Sequence, residues 1–426
     1  MDIKISNSRK RLKGEIIAPA DKSVSHRAVM FLSIAKGNGI ITNFLNAADC
    51  CSTISIFKNL GVNIQFLDKQ TVQVKSTGIL NQSNTPLDCG NSGTTMRLVS
   101  GILAGQNFNS KLIGDSSLSK RPMKRIIEPL TLMGAQINST DYKAPLNIIA
   151  SNLHAIKYNS PIASAQVKSC ILLAGMHANG ETELTEPFLS RNHTEIMLKY
   201  LGADIQTNGN NVKIKKSDLE AKNIQVPGDI SSAAFFIVAA SIIPNSDIII
   251  KNVGLNKTRT GIIDIVKRMK GNIEILNTQN TSGEDIGDIR VRYSSLVGCE
   301  INGSDIPRLI DELPIIALMA TQADGETKIT NAGDLRNKEA DRISALVTEF
   351  RKIGIDIEEL EDGFIISGKQ KIKGNSEVEV YHDHRLAMTF YIAGLLAEKE
   401  ILIKEFQWVD ISMPEFLSLI DSLTNS

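Results

Sequence analysis

The chain reads as one segment written six times. Each copy opens on polar residues, runs into a small apolar body, passes through a short β-branched run, and continues as an amphipathic stretch that usually closes on glycine. The openings begin at Lys22, Asn91, Ser164, Asp229, Asp311 and His382. The short runs are Ile40 to Thr42, Lys111 to Ile113, Thr182 to Leu184, Ile248 to Ile250, Lys328 to Thr330 and Ile401 to Ile403. Five amphipathic stretches close on Gly61, Gly134, Gly202, Gly271 and Gly354. Gly134, Gly202 and Gly271 stand 68 and 69 residues apart, longer than the roughly 20–50 residues of solenoid repeats. Each copy is therefore expected to be a small subdomain of helices and strands, and six copies set out six helix N-termini.

Within a copy, segments such as Ala28 to Ala35 and Ser232 to Ala240 are small and apolar nearly all round, which predicts helices buried on most sides. Arg342 to Phe350 instead spaces its apolar residues by three and four, the pattern of a helix with one covered and one wet face. The glycine beyond it suits a left-handed C-cap, and β-branched residues then begin a strand. The expected class is α/β (α+β). At 426 residues the chain exceeds one ordinary core of about 250–300 residues, so two domains of three copies each follow. Pro227-Gly228-Asp229 restarts the pattern, and the first copy begins only at Asp21-Lys22. This predicts a discontinuous domain of residues 1–20 with 227–426, and residues 21–226 inserted between them.

Forty-seven basic and 47 acidic residues leave no net charge, so no general field draws the chain to nucleic acid or to an anionic membrane. Met1 to Gly14 is polar and basic without the apolar body of a signal peptide, and no apolar stretch approaches the roughly 20 residues that span a bilayer. A soluble, cytoplasmic protein is expected. Five scattered cysteines form neither a disulfide framework nor a zinc pattern, and are read as reduced thiols.

The openings carry residues that a plain buried helix does not need. Lys22-Ser23-Val24-Ser25-His26-Arg27 puts two cations and two hydroxyls in about one turn, where free N–H groups and the helix dipole favour an anion. The plainer alternative is a capping serine among solvated charges. Gly90 to Arg97 is a second such opening, with Gly93 allowing close approach to the backbone. Ser164-Ala165-Gln166 offers a hydroxyl and an amide, and Ser119-Lys120-Arg121-Pro122 sets an arginine beside a stiff residue, either placed or solvated. The C-terminal half adds acids: Asp311-Glu312-Leu313-Pro314 and Lys338-Glu339-Ala340-Asp341-Arg342. Glu339 and Arg342, three apart, also fit an ordinary surface pair. His382-Asp383-His384-Arg385 opens the sixth copy; two histidines one residue apart, without a third ligand, make no metal site. Asp229-Ile230-Ser231 at the fourth opening suggests capping and packing alone.

Taken in order, these motifs closely resemble the EPSP synthase (3-phosphoshikimate 1-carboxyvinyltransferase) family over essentially the full length. The resemblance implies a two-domain inside-out α/β barrel of six βαβαββ units, three per domain, with the active site in the interdomain cleft. It implies transfer of the enolpyruvyl group of phosphoenolpyruvate to the 5-hydroxyl of shikimate 3-phosphate, in the route to chorismate and aromatic amino acids, by a monomer using no metal or organic cofactor. Lys22 would touch both substrates, and Ser23, Arg27, Ser164, Gln166, Asp311 and Lys338 would hold shikimate 3-phosphate. Gly93, Arg121, Arg342 and Arg385 would hold phosphoenolpyruvate, with Gln166 close by. Asp311 would accept the proton of the attacking hydroxyl, Glu339 would serve proton transfer at the enol methylene, and Lys22 would assist as an acid. Ala165 replaces a serine that some members have, and Ser190-Arg191 replaces Ser-Lys, so that Arg191 joins the shikimate 3-phosphate set. Asp410 to Pro414 lacks a lysine that some members use. Two rivals remain. A UDP-N-acetylglucosamine enolpyruvyl transferase would have Lys-Asn at Lys22-Ser23 and a cysteine within Gly114 to Arg125, and a silent anion-binding repeat protein would have no use for Asp311 and Glu339.

Overall fold

The computed structural model describes residues 1–6 and 11–424; Asn7 to Lys10, within the basic N-terminal stretch, and Asn425-Ser426 lie outside the described residues. Six helices begin within two residues of the six openings: α1 (Lys22–Ile34), α2 (Gly93–Ala104), α3 (Ala165–Gly175), α4 (Ile230–Ile242), α5 (Leu313–Thr321) and α6 (His384–Gly394). Asp21, Ser92, Ser164, Asp229 and Asp383 cap five of them, each side chain accepting a hydrogen bond from a first-turn N–H. A cap of this kind contributes about 1 kcal/mol. Before α5, Glu312 accepts from the Ser231 hydroxyl instead.

Small residues let these helices sit at the centre. Every residue of α4 is buried, and a fully buried Ile or Phe side chain contributes about 1.5–3 kcal/mol. Close approach is sharpest at Gly101 of α2, where a Cβ would stand 2.3 Å from the Cys170 carbonyl oxygen of α3. Any side chain there would force the two helices apart.

Among the described residues the strands form six separate sheets, and their order repeats. In the second copy, Leu87–Asp88 pairs in parallel with Ser110–Ile113, which pairs antiparallel with Lys143–Ile149, itself the partner of Gln136–Thr140. A parallel pair needs a crossover, and α2 is that crossover. The third and fifth copies repeat the order. The others borrow strands. Leu219–Glu220 and Ile224–Gln225 run parallel to Ala35–Thr42 in the first sheet. Lys13–Ile17 runs parallel to Asp247–Gly254 in the fourth, and Ile3–Ile5 pairs antiparallel with Ile401–Ile403 in the sixth.

The chain divides into two compact units, one comprising Met1–Pro19, Gly228–Gln279 and Asp285–Ser426, the other Ala20–Pro227 and Asn280–Glu284. Each has its own core, around Phe31, Leu98 and Leu172 in the second unit and around Phe236, Ile316 and Phe390 in the first. The turn Asn280–Glu284 counts with the second unit, where Glu284 Oε1 lies 2.6 Å from His193 Nδ1 and Ser282 Oγ accepts from the Gln225 N–H at 3.0 Å.

Four of the five closing glycines, Gly61, Gly134, Gly202 and Gly354, adopt a positive φ. The fourth copy departs from the expectation. Lys270 takes the left-handed position with φ 62°, and Gly271 is required for room, since its Cβ would meet Val266 Cγ1 at 2.4 Å.

Candidate active site

In the second unit the three helix openings are tied together by side chains. At α1, the Arg27 guanidinium is buried; its Nε donates to Thr194 Oγ1 at 2.8 Å, Nη2 to Ser169 Oγ at 2.9 Å, and Nη1 to the Ser23 carbonyl at 3.0 Å. This joins α1 to α3. Lys22 Nζ lies 3.3 Å from Asp49 Oδ2 and keeps partial exposure. His26 Nδ1 meets Thr53 Oγ1 at 2.7 Å, Thr53 meets Thr95 Oγ1 at 2.8 Å, and Thr95 donates to the capping Ser92 Oγ at 2.7 Å. This chain joins α1 to α2. Burial, with Lys22 and Arg27 nearby and Asp49 opposing, lowers the His26 pKa to about 3, so the ring is neutral.

At α2, a Cβ on Gly93 would stand 3.0 Å from Arg97 Nη1 and 3.5 Å from Arg121 Nη1, so two guanidinium groups flank the first helical residue. Arg121 is placed, its Nη2 donating to Asn91 Oδ1 at 2.8 Å, rather than solvated. Arg97 Nη1 donates to Gln166 Oε1 at 2.6 Å, and Gln166 Nε2 donates to Thr94 Oγ1 at 3.0 Å, joining α2 to α3. Arg97 is absent from the expected site set. It was visible only as the last residue of the Gly-rich opening, and its approach to Gln166 across 69 positions leaves no local trace. Ser23 in α1 and Ser164 at the start of α3 are partly exposed, as is Arg191 beside the buried Ser190.

In the first unit the acids and arginines form one cluster. Arg342, 1% exposed, places Nε 2.6 Å from Asp383 Oδ2, Nη2 2.6 Å from Glu339 Oε2, and Nη1 3.4 Å from Asp311 Oδ1. Burial alone would disfavour its charge, but the three carboxylates outweigh burial and push its pKa up. Glu339 and Arg342 are therefore no surface pair. Arg385 Nη1 donates to the Asp311 carbonyl at 3.2 Å, its Nη2 stands 3.9 Å from Asp311 Oδ2, and Lys338 Nζ stands 3.8 Å from Asp311 Oδ1. Asp311 thus faces three cations while remaining partly exposed.

The fourth opening holds more than a cap. Asp229 accepts from the Ser231 N–H and also pairs with the buried Arg259 at 2.9 Å. Arg259 donates to Ser231 Oγ at 2.7 Å, Ser231 donates to Glu312, and Glu312 Oε1 lies 3.9 Å from Arg385 Nη1. This buried network connects the fourth, fifth and sixth openings. Its residues lie 28 and 81 positions apart, beyond the reach of any local pattern. His382 stacks on Trp408 with centroids 4.6 Å apart while His384 is buried, and among the described residues no group of three or more His, Cys, Asp and Glu is placed to hold a metal ion.

Six like copies, with Lys22, Arg27, Arg97 and Arg121 near the helix openings of one unit and acids wrapped around arginines in the other, define a class: a two-unit α/β repeat protein with charged helix openings. The sequence pattern of the family described as EPSP synthase (3-phosphoshikimate 1-carboxyvinyltransferase) matches residues 6–420. A 3-phosphoshikimate 1-carboxyvinyltransferase of Thermodesulfovibrio yellowstonii is 52% identical over 427 residues, covering 99% of each chain. One of Thermoanaerobacter sp. is 50% identical over 426 residues, covering 99% of this chain and 100% of its own. The solved EPSP synthase of Acinetobacter baumannii superposes with a TM-score of 0.89 at 43% identity, covering 99% of this chain and 98% of that one. The enolpyruvyl transferase NikO of Streptomyces tendae shares the fold, with a TM-score of 0.81 at 16% identity over 99% of this chain and 96% of its own. The chain belongs to the EPSP synthase family.

Proposed function

We propose that this protein transfers the enolpyruvyl group of phosphoenolpyruvate to the 5-hydroxyl of shikimate 3-phosphate, releasing phosphate, in the shikimate route to chorismate and the aromatic amino acids. The observation that carries the reading is the Asp311, Glu339, Arg342 and Arg385 cluster in a member of this family. A simple anion trap gains nothing from two carboxylates at its centre.

The chemistry assigns the roles. As the 5-oxygen attacks C2 of phosphoenolpyruvate, Asp311 accepts the hydroxyl proton, and C3 gains a proton through Glu339 assisted by Lys22, giving a tetrahedral intermediate. Elimination removes a proton from C3 and breaks the bond to the phosphate oxygen, and phosphate departs. Arg121, Arg342, Arg385, Gly93 and Lys22 hold phosphoenolpyruvate, with Gln166 alongside; bidentate guanidinium contacts suit its carboxylate and phosphate. Lys22, Ser23, Arg27, Ser164, Gln166, Arg191, Asp311 and Lys338 hold shikimate 3-phosphate. Neither step needs a metal or an organic cofactor.

The proposed domains, residues 1–20 with 227–426 and 21–226, differ from the two compact units by one residue at each junction and by the turn Asn280–Glu284, and the substrates lie in the cleft between them. Binding of shikimate 3-phosphate closes the cleft and excludes water. X-ray scattering should show the radius of gyration fall on adding shikimate 3-phosphate, and superimposable curves would count against closure. The protein works as a cytoplasmic monomer. Among the described residues no helix is long and apolar enough to cross a membrane. The deciding experiment is phosphate release from the purified protein with shikimate 3-phosphate and phosphoenolpyruvate. Release with UDP-N-acetylglucosamine in a parallel tube, and not with shikimate 3-phosphate, would overturn the reading.

A further inference from the structure

Behind α3 the second unit buries three charges that the proposed reaction does not use. Lys168 Nζ lies 2.9 Å from Glu186 Oε2 and 2.8 Å from Glu195 Oε1, and the three side chains are 0%, 1% and 3% exposed. One cation thus faces two carboxylates where no substrate can reach it. Burying ions costs several kcal/mol each, and well-packed apolar residues serve stability as well or better. The arrangement calls for another reason, and the hydrogen bonds of Glu186 supply one. Its Oε1 accepts the Ser164 N–H at 3.0 Å, while its Oε2 accepts the Ser190 hydroxyl at 2.8 Å and the Ser190 N–H at 3.3 Å. Lys168 completes the loop by donating to the Ser190 carbonyl at 3.2 Å. A single carboxylate therefore ties the α3 cap residue to the residue just before Arg191, across 22 positions of sequence on one side and four on the other.

We propose that Glu186, clamped by Lys168, is a positioning residue for shikimate 3-phosphate: it fixes Ser164 and Ser190-Arg191 relative to each other before the substrate arrives. The proposal rests on the reading above, in which Ser164 and Arg191 hold that substrate. Preformed contacts lower the ordering cost that binding would otherwise carry, so the effect belongs to the affinity for one substrate and not to the chemical step. Glu195 has a different place. It follows Thr194, which accepts from Arg27 and bonds Ser169 at 2.6 Å; its pKa is raised by burial against the pull of Lys168. It touches neither tether of Glu186.

The test is steady-state kinetics on three variants of the full chain. Glu186→Gln keeps the volume, leaves Lys168 its Glu195 partner, and loses one tether whichever way the amide turns. KM for shikimate 3-phosphate should rise about tenfold, with KM for phosphoenolpyruvate and kcat within about threefold. Glu195→Gln removes an equal buried charge but neither tether, and should leave KM for shikimate 3-phosphate within about twofold. If Glu186→Gln fails to fold, Ser190→Ala removes one tether without disturbing any charge, and should raise that KM about threefold. An unchanged KM for shikimate 3-phosphate in the folded variants, or an equal rise in Glu195→Gln, would overturn the proposal while the active wild type kept the functional reading intact. A wild-type protein that releases no phosphate from the two substrates would sink both.

Discussion

Arginine is used in opposite ways in the two units. In the second unit, the hydrogen bonds that position Arg27, Arg97 and Arg121 run to hydroxyl, carbonyl and amide oxygens. In the first, Arg342 is ringed by Asp383, Glu339 and Asp311. Neutral oxygens orient a guanidinium without themselves repelling or competing with an anion. Carboxylates also fix it, but an arriving anion must then share the cation with them. The first arrangement suits a substrate bound mainly by charge; the second suits acids that must be oriented beside a substrate and later exchange protons. Lys22 with Asp49 and Lys168 with two glutamates show that the second unit does pair lysines with acids, so the contrast belongs to arginine.

The largest expected effect attacks the acid side. Asp311→Ala removes the proposed proton acceptor but leaves the second unit untouched. Turnover should fall by about 10²–10⁴-fold, while calorimetry still detects shikimate 3-phosphate binding; wild-type turnover would remove Asp311 from the mechanism.

Next comes a paired comparison of stability. Arg342→Met leaves the buried Asp383 without its guanidinium partner and takes one cation from Glu339 and Asp311, and losing one partner of a buried pair costs about 3–5 kcal/mol. In Arg27→Met, Thr194 and Ser169 keep each other as partners at 2.6 Å. Its stability cost should be about 1–2 kcal/mol, with its main effect a raised KM for shikimate 3-phosphate. Urea unfolding of the two variants decides the matter, and equal losses would erase the distinction between the two kinds of arginine.

That distinction was not readable beforehand, and the reason is physical. Helix starts are local, so the openings at Lys22, Asn91 and Asp229 announce themselves beside the apolar runs they precede, although the first cap is Asp21 and not a serine. The run Ile401 to Ile403 likewise coincides with a strand. Burial of charge is not local. Glu339 and Arg342 have the spacing of a solvent-facing pair, and it is the buried Asp383, 41 positions from Arg342, that holds the arginine inside. Arg259, Glu186 and Lys168 give no local signal for the same reason: each is an ordinary charged residue until the fold sets a partner against it. The Lys270-Gly271 exchange is a smaller case, in which the demand for glycine came from Val266 and not from the backbone angle.

The smallest expected effect tests whether neutral partnering in the second unit extends to histidine. His26 meets a threonine hydroxyl, and burial lowers its pKa from 6.5 to about 3. Between those values the unfolded chain binds a proton that the folded chain refuses, so stability must fall as pH falls through this window, by about 1.4 kcal/mol per unit. Above pH 6.5 both states are neutral and His26 contributes no slope. A glutamine can meet Thr53 and cannot titrate. Urea unfolding at pH 5.5 and 4.5 should therefore show the wild type losing about 1.4 kcal/mol more than His26→Gln. Parallel losses would mean that the folded protein protonates His26 in place, with Asp49 prevailing over burial, and that the first opening tolerates a third cation beside Lys22 and Arg27.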